Sequence, residues 1–454
     1  MSPEAGKVYA CDVGDGAAAR ESATMNKTKI VVFFLVGSLA AFISPRIHAQ
    51  TPPLPLGQIS PQPGMSVPCP SGFADQMSCF STSVVNCPGA VDIPLVYGHM
   101  DVTSPTQPKG TIVLLPGSGG TNANGDNVAD FIKGVSYNPQ SYPSNGYNVV
   151  QIAWGSYQQQ NGTWVFGGIP WEDTTNNCPS NCDLMPPHNI LNAACRPATF
   201  LNFIYNYYLL PLRSQNPLAG MCAQGFSGGS GAVAYALAWY GAGAWYGPQD
   251  PRNGYLDKVE LLSGPVFSDI GKGCEFPTAT PPTVCQNNPA FCEPLGPGIP
   301  QPNWEAAPIA YTDTVVQAMQ RFTGDATCAG SVATSQAEYN NWESMSIVQN
   351  SASYSYSHTD VTGFACGSTP SLMDDMNNSS TQGWTFFNNP ITTVSNNRYF
   401  LYEVDNCTGA EGIYANQYTQ VPGVNSTPPL NGYTAILNDM VSGLNGVAGC
   451  TNHH

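Results

Sequence analysis

The sequence predicts an α/β protein, on two observations. From about residue 90 onward, short buried apolar runs alternate with segments of helical spacing. Two of those runs end in glycine-rich turns, Pro116-Gly117-Ser118-Gly119-Gly120 and Gly225-Phe226-Ser227-Gly228-Gly229. Strands that alternate with helices argue for a mostly parallel sheet covered by helices. In such sheets functional groups gather at the carboxyl ends of the strands.

The elements follow in order. Residues 50–70 are proline-rich and read as an extended lead-in. Residues 91–102 predict a strand, and the run Gly110 to Leu115 a buried strand that ends at the first glycine-rich turn. Residues 126–135 predict a helix and 147–154 the next strand. A loop bearing tryptophans and cysteines runs from Gly155 to about Asn189. Over 193–210, Phe200, Phe203, Ile204, Tyr207 and Tyr208 recur at helical spacing. Residues 221–225 predict a short strand, 229–240 a helix of small residues and 256–266 another buried strand. Val315, Val316, Met319 and Phe322 have helical spacing, with Gly324 as the stop. In one of two readings of the C-terminal third, strands over 361–366 and 398–404 and a closing helix over 433–444 follow. No internal repeat is present.

Hydrophobic residues make up 42% of the 454-residue chain, enough for a substantial core. Charged residues are only 10% and the net charge is −16. That acidity disfavours nucleic acid and anionic membranes as partners, since both need a basic footprint. Residues 25–49 read as a secretion signal: Met25, then Lys27 and Lys29, an apolar run from Ile30 to Ile43, and Ala49 as a small residue for cleavage. The apolar run is too short to span a bilayer, so a secreted chain that starts at Met25 and matures near Gln50 is expected. Of 15 cysteines, Cys11 precedes the signal, which leaves 15 − 1 = 14 in the mature chain. An even number in an exported protein predicts disulfides of undetermined connectivity and no free thiol. Cys178–Cys182 lacks the second pair a zinc site needs. No HExxH and no phosphate-binding P-loop occur, and no cofactor is expected. The expected organisation is an N-terminal extension and signal over 1–49, a Pro/Cys-rich lead-in over 50–89 and one α/β domain over 90–454, with insertions near 155–190 and 267–305.

Gly225-Phe226-Ser227-Gly228-Gly229 matches G-x-S-x-G between a strand and a helix, the context in which a sharp turn lifts a serine hydroxyl above the sheet. Pro116 to Gly120 is a second bare-backbone turn, beyond an earlier strand. On those two turns and the alternating pattern, residues 90–450 resemble the α/β-hydrolase superfamily of esterases, lipases and depolymerases. The resemblance implies the α/β-hydrolase fold, a nucleophile at Ser227, and oxyanion donors at Gly228 and at Ser118/Gly119. It also implies an acid and a histidine, in that chain order, after later strands.

Two layouts supply them. In the first, Asp325 is the acid and His358 the base, the only in-fold histidine after Ser227. In the second, the last strands are 361–366 and 398–404, which puts His358 at the wrong edge of the sheet. Neither 406–412 nor 367–369 then offers the expected histidine or acid, and Asp374 and Asp375 are the first carboxylates after Cys366. Asp269 and His188 then become the substitute acid and base.

Either layout implies a secreted serine hydrolase that cleaves carboxylic esters through an acyl-enzyme on Ser227. Trp154, Trp164 and Trp171 are either core or an apolar face for a bulky or polymeric ester. The rivals are a binding protein that keeps the fold without the charge relay, and a peptidase or acyltransferase that uses the same serine.

Overall fold

A computed structural model describes residues 53–102, 107–117, 120, 131–132, 141–172, 190–251, 253–262, 292–294, 304–306, 344–349, 356–366, 399–404, 431–444 and 447–453. In chain order the strands are β1 (Gln58–Val67), β2 (Ser78–Val85), β3 (Ile93–Met100), β4 (Gly110–Leu115), β5 (Tyr147–Gln160) and β6 (Thr163–Gly168). After helix α1 (Ile190–Ile204), a π-helical turn and the short α2 (Leu210–Arg213) come β7 (Gly220–Phe226), α3 (Gly228–Ala238) and β8 (Lys258–Leu262). The short strands β9 (Cys292–Pro294) and β10 (Trp304–Ala306) pair with each other; β11 (Asp360–Cys366), β12 (Tyr399–Val404) and α4 (Gly432–Ser442) follow.

The main sheet runs β1-β2-β3-β5-β4-β7-β8-β11-β12. From β5 to β12 every neighbouring pair is parallel. β1, β2 and β3 join antiparallel at one edge. β4 and β7 are buried along nearly their whole length and carry no alternation, as expected of strands covered on both faces. One face packs Phe200, Leu201 and Ile204 of α1 and the buried, small-residue α3 against Val113, Ala223 and Val259. The other packs Tyr433, Ile436, Leu437 and Met440 of α4 against Ile112, Cys222, Leu262 and Phe364. Helix α3 is buried all round because it lies between the sheet and α1, and its glycines and alanines permit that close approach.

The expected strands and helices within the described residues are present with small shifts of boundary; the helix over 315–322 lies outside them, as does most of the one over 126–135. Two segments differ in kind. The lead-in carries β1 and β2, which pair with each other and with β3 and extend the sheet at one edge. Residues 155–168 form a hairpin, because β5 continues past Trp154 to Gln160 and turns through Asn161 and Gly162 into β6.

Cys69 pairs with Cys79, Cys87 with Cys195 and Cys222 with Cys450. The second bond ties the end of β2 to α1. The third ties β7 to the tail behind α4, whose path is fixed further by the Ala219–Thr451 bridge and by Asn452 N–H donating to Leu218 O at 3.0 Å. No helix among the described residues is long and apolar enough to cross a membrane.

Candidate active site

Ser227 stands between β7 and α3 with φ +50° and ψ −123°. A non-glycine residue in that region is strained, and the surroundings must hold it there. The close approach of the two glycine-rich turns shows what holds it. A Cβ on Gly229 would lie 2.5 Å from Leu115 O, so only glycine lets α3 start against the end of β4. A Cβ on Gly117 would lie 3.2 Å from Ser227 Cβ and 3.6 Å from Oγ, which places the first turn directly against the serine. That turn closes through Gly120 N–H to Gly117 O at 3.0 Å, and Gly120 O accepts from Trp154 N–H at 2.6 Å. Ser118 and Gly119 lie outside the described residues. Gly228 begins α3, where amides have no intrahelical acceptor and the helix dipole favours negative charge.

The neighbouring strand fixes the same turn. Ser227 N–H donates to Leu262 O at 2.9 Å, which joins the serine backbone to the end of β8. Ser230, fully buried in the first turn of α3, accepts from Leu262 N–H at 3.0 Å and donates to Gly225 O at 2.8 Å. From the other side, Trp171 Nε1–H donates to Gly228 O at 3.0 Å. Arg196 of α1 donates to Trp171 O at 2.6 Å. Glu172, next to Trp171, is 1% exposed. Sequence reasoning singled out neither Ser230 nor Glu172; the first reads as a small helical residue and the second as one acid in a long loop. Of the three tryptophans, Trp154 and Trp171 are core and Trp164 is 66% exposed on the β5–β6 hairpin.

His358 does not meet Ser227. The register aligns Phe226 with Leu262 and Leu262 with Phe364, so the carboxyl ends of the three strands are level. His358 precedes Phe364 by 364 − 358 = 6 residues, about 20 Å along the strand direction at ~3.3 Å per residue. It sits at the amino edge, its ring tilted against Trp245 with centroids 3.8 Å apart and bonded through Nδ1 to His453 O. The expectation that His358 is the base is therefore corrected: a general base must come within hydrogen-bond reach, and a parallel strand entered at its amino end delivers a histidine to the wrong side. His453 lies at the same edge, 3.3 Å from Asp360. His99, on β3, packs its ring at a tilt against Tyr208 and lies three strands from β7. Asp325, Asp269, Asp374, Asp375 and His188 lie outside the described residues.

Beneath the turn runs a buried polar layer. Gln224 donates to Tyr142 Oη at 2.7 Å and to Glu260 Oε2 at 2.8 Å, while Lys258 Nζ donates to Asp439 Oδ1 at 2.9 Å. Burial pushes the Glu260 carboxyl well above the usual range, the Asp439 charge adds to that, and Lys258 opposes it. This layer faces α4, within the sheet, and reads as support for β7 and β8 rather than as chemistry.

The strand order, with the strained serine turn after β7 and the bare-backbone turn after β4, defines an α/β-hydrolase fold. No family model and no curated protein matches the chain. Among solved structures, it is similar to acetyl xylan esterase 1 from a Thermoanaerobacterium species, at 11% identity and TM-score 0.40, over 81% of this chain and 92% of that one. It is also similar to an esterase of Pyrobaculum calidifontis, at 11% identity and TM-score 0.39, over 80% and 83%. An acylaminoacyl peptidase of Pyrococcus horikoshii aligns at 11% identity and TM-score 0.39, over 82% of this chain and 42% of that one.

Proposed function

We propose that the protein is an exported serine hydrolase that cleaves carboxylic esters through an acyl-enzyme on Ser227. The observation that carries this reading is the Ser227 backbone at φ +50°, held against Gly117 at the carboxyl edge of the sheet. Such a conformation is costly for a residue with a side chain, and strain of this kind is kept where a side chain must be presented.

In this reading the Ser227 hydroxyl attacks the ester carbonyl carbon as a base takes its proton. The negative oxygen of the tetrahedral intermediate is held by Gly228 N–H and by the turn that contains Ser118 and Gly119. Collapse expels the alcohol, which receives the proton back, and water then releases the acid by the same route. With His99, His358 and His453 placed elsewhere, His188 is the base of this proposal and Asp269 its partner. Trp171, bonded to Gly228 O and to Arg196, lies on the α1 side of the turn. Export rests on the signal pattern at 25–49 and on the three disulfides among the described residues.

A fluorophosphonate probe tests the nucleophile. Labelling of the purified protein at Ser227, abolished in Ser227→Ala, is expected. No labelling at any pH between about 5 and 9 would favour a binding protein that keeps the fold without its charge relay.

A further inference from the structure

We infer that Ser230 is a positioning residue for the Ser227 nucleophile, a role that rests on the hydrolase reading above. Ser230 has one donor hydrogen and accepting lone pairs, and the structure uses both kinds. Its Oγ lies 2.8 Å from Gly225 O, 3.0 Å from Leu262 N and 3.1 Å from Leu262 O. One hydroxyl thus joins the last turn of β7, the end of β8 and the first turn of α3. The same Leu262 carbonyl oxygen accepts from Ser227 N–H at 2.9 Å, and Ser230 N–H returns to Ser227 O at 2.9 Å. The nucleophile's amide and carbonyl are therefore both tied to groups that Ser230 touches.

The chemistry needs this because the turn is strained. Left to itself, the chain between β7 and α3 relaxes toward ordinary φ, and the Ser227 hydroxyl and the Gly228 amide move with it. Misplacement of a reacting group by about 1 Å can cost on the order of a hundredfold in rate. Ser230 touches no substrate in this account; its hydroxyl points into the sheet and is fully buried.

The test compares Ser230→Ala and Ser230→Cys with Val233→Ala, a fully buried position of the same helix whose loss loosens packing alone. With a p-nitrophenyl ester well below the unfolding temperature, Ser230→Ala is expected to lower kcat about 10- to 100-fold with KM within about twofold. The rate of fluorophosphonate labelling should fall in parallel. Ser230→Cys, which keeps an acceptor and a weak donor, should fall between Ser230→Ala and the parent. Val233→Ala should lower the unfolding temperature and leave kcat near the parental value. Unchanged kcat in Ser230→Ala, an equal loss in Val233→Ala, or failure of both Ser230 variants to fold would overturn the inference. Ser227→Ala runs alongside: if it is as active as the parent, the hydrolase reading fails instead, whatever Ser230 does.

Discussion

The His358 imidazole bonds through Nδ1 to the backbone carbonyl of His453, and so the histidine expected to serve as the base instead fastens the tail at the amino edge of the sheet. Around it the tail is held by His453 N–H donating to Asp257 Oδ1 at 2.8 Å and by the His453–Asp360 contact. Arg213 pairs with the other Asp257 oxygen at 2.6 Å. This edge is an anchoring structure, and its residues should behave as one.

His358→Ala therefore separates anchoring from chemistry. Ester hydrolysis should stay within about twofold of the parent below the unfolding temperature, while loss of the ring contact and the hydrogen bond lowers stability by about 1–2 kcal/mol. Urea unfolding together with initial rates measures both. A loss of several orders of magnitude in kcat with an unchanged unfolding midpoint would return His358 to the catalytic role.

Ser227→Ala should abolish turnover while leaving the fold, since alanine fits wherever the serine side chain does. Removal of a triad nucleophile costs on the order of a millionfold in kcat. Circular dichroism and p-nitrophenyl ester assays report the two halves of that statement. Residual hydrolysis near the parental rate would place the chemistry elsewhere.

Cys450→Ser opens the bond to Cys222, which spans a sequence separation of 228 residues. On the chain-entropy model a loop of that length stabilises the fold by about 5 kcal/mol. Equilibrium unfolding without reductant should show most of that loss. A change below about 1 kcal/mol would mean that the hydrogen bonds at 451–453 hold the tail unaided.

Burial raises the Asp257 carboxyl to about 6, against the opposing pull of Arg213 and the amides of His453 and Met221. A carboxyl raised on folding binds its proton more tightly in the native state, so its contribution is complete below the unfolded value of 3.8 and is lost as pH rises through about 6. The stability of the parent minus that of Asp257→Asn should therefore fall between about pH 4 and pH 6 and level off above. Thermal midpoints of the two proteins across that range decide it. A difference that grows with pH would mean that Arg213 outweighs desolvation.

The central strands, the small-residue helix and the two glycine-rich turns are legible in the amino-acid order, because each is encoded locally. Buried runs with no alternation demand cover on both faces, and glycines mark where backbone must approach backbone. That order also determined that cysteines would pair, though not which, since pairing depends on distances between segments far apart in the chain. That 58–85 form the sheet edge emerges only from pairing between strands. Alternation in β1 is broken by prolines, and its partners lie in β2, so pairing rather than propensity makes it a strand. The place of His358 stayed open between two layouts of the last strands, and the parallel pairing of β11 with β8 and β12 chose the one that puts it at the amino edge. Ser230 is the same case in reverse. A serine in a run of small residues has no signal of its own, and its role arises where β7, β8 and α3 converge on one hydroxyl.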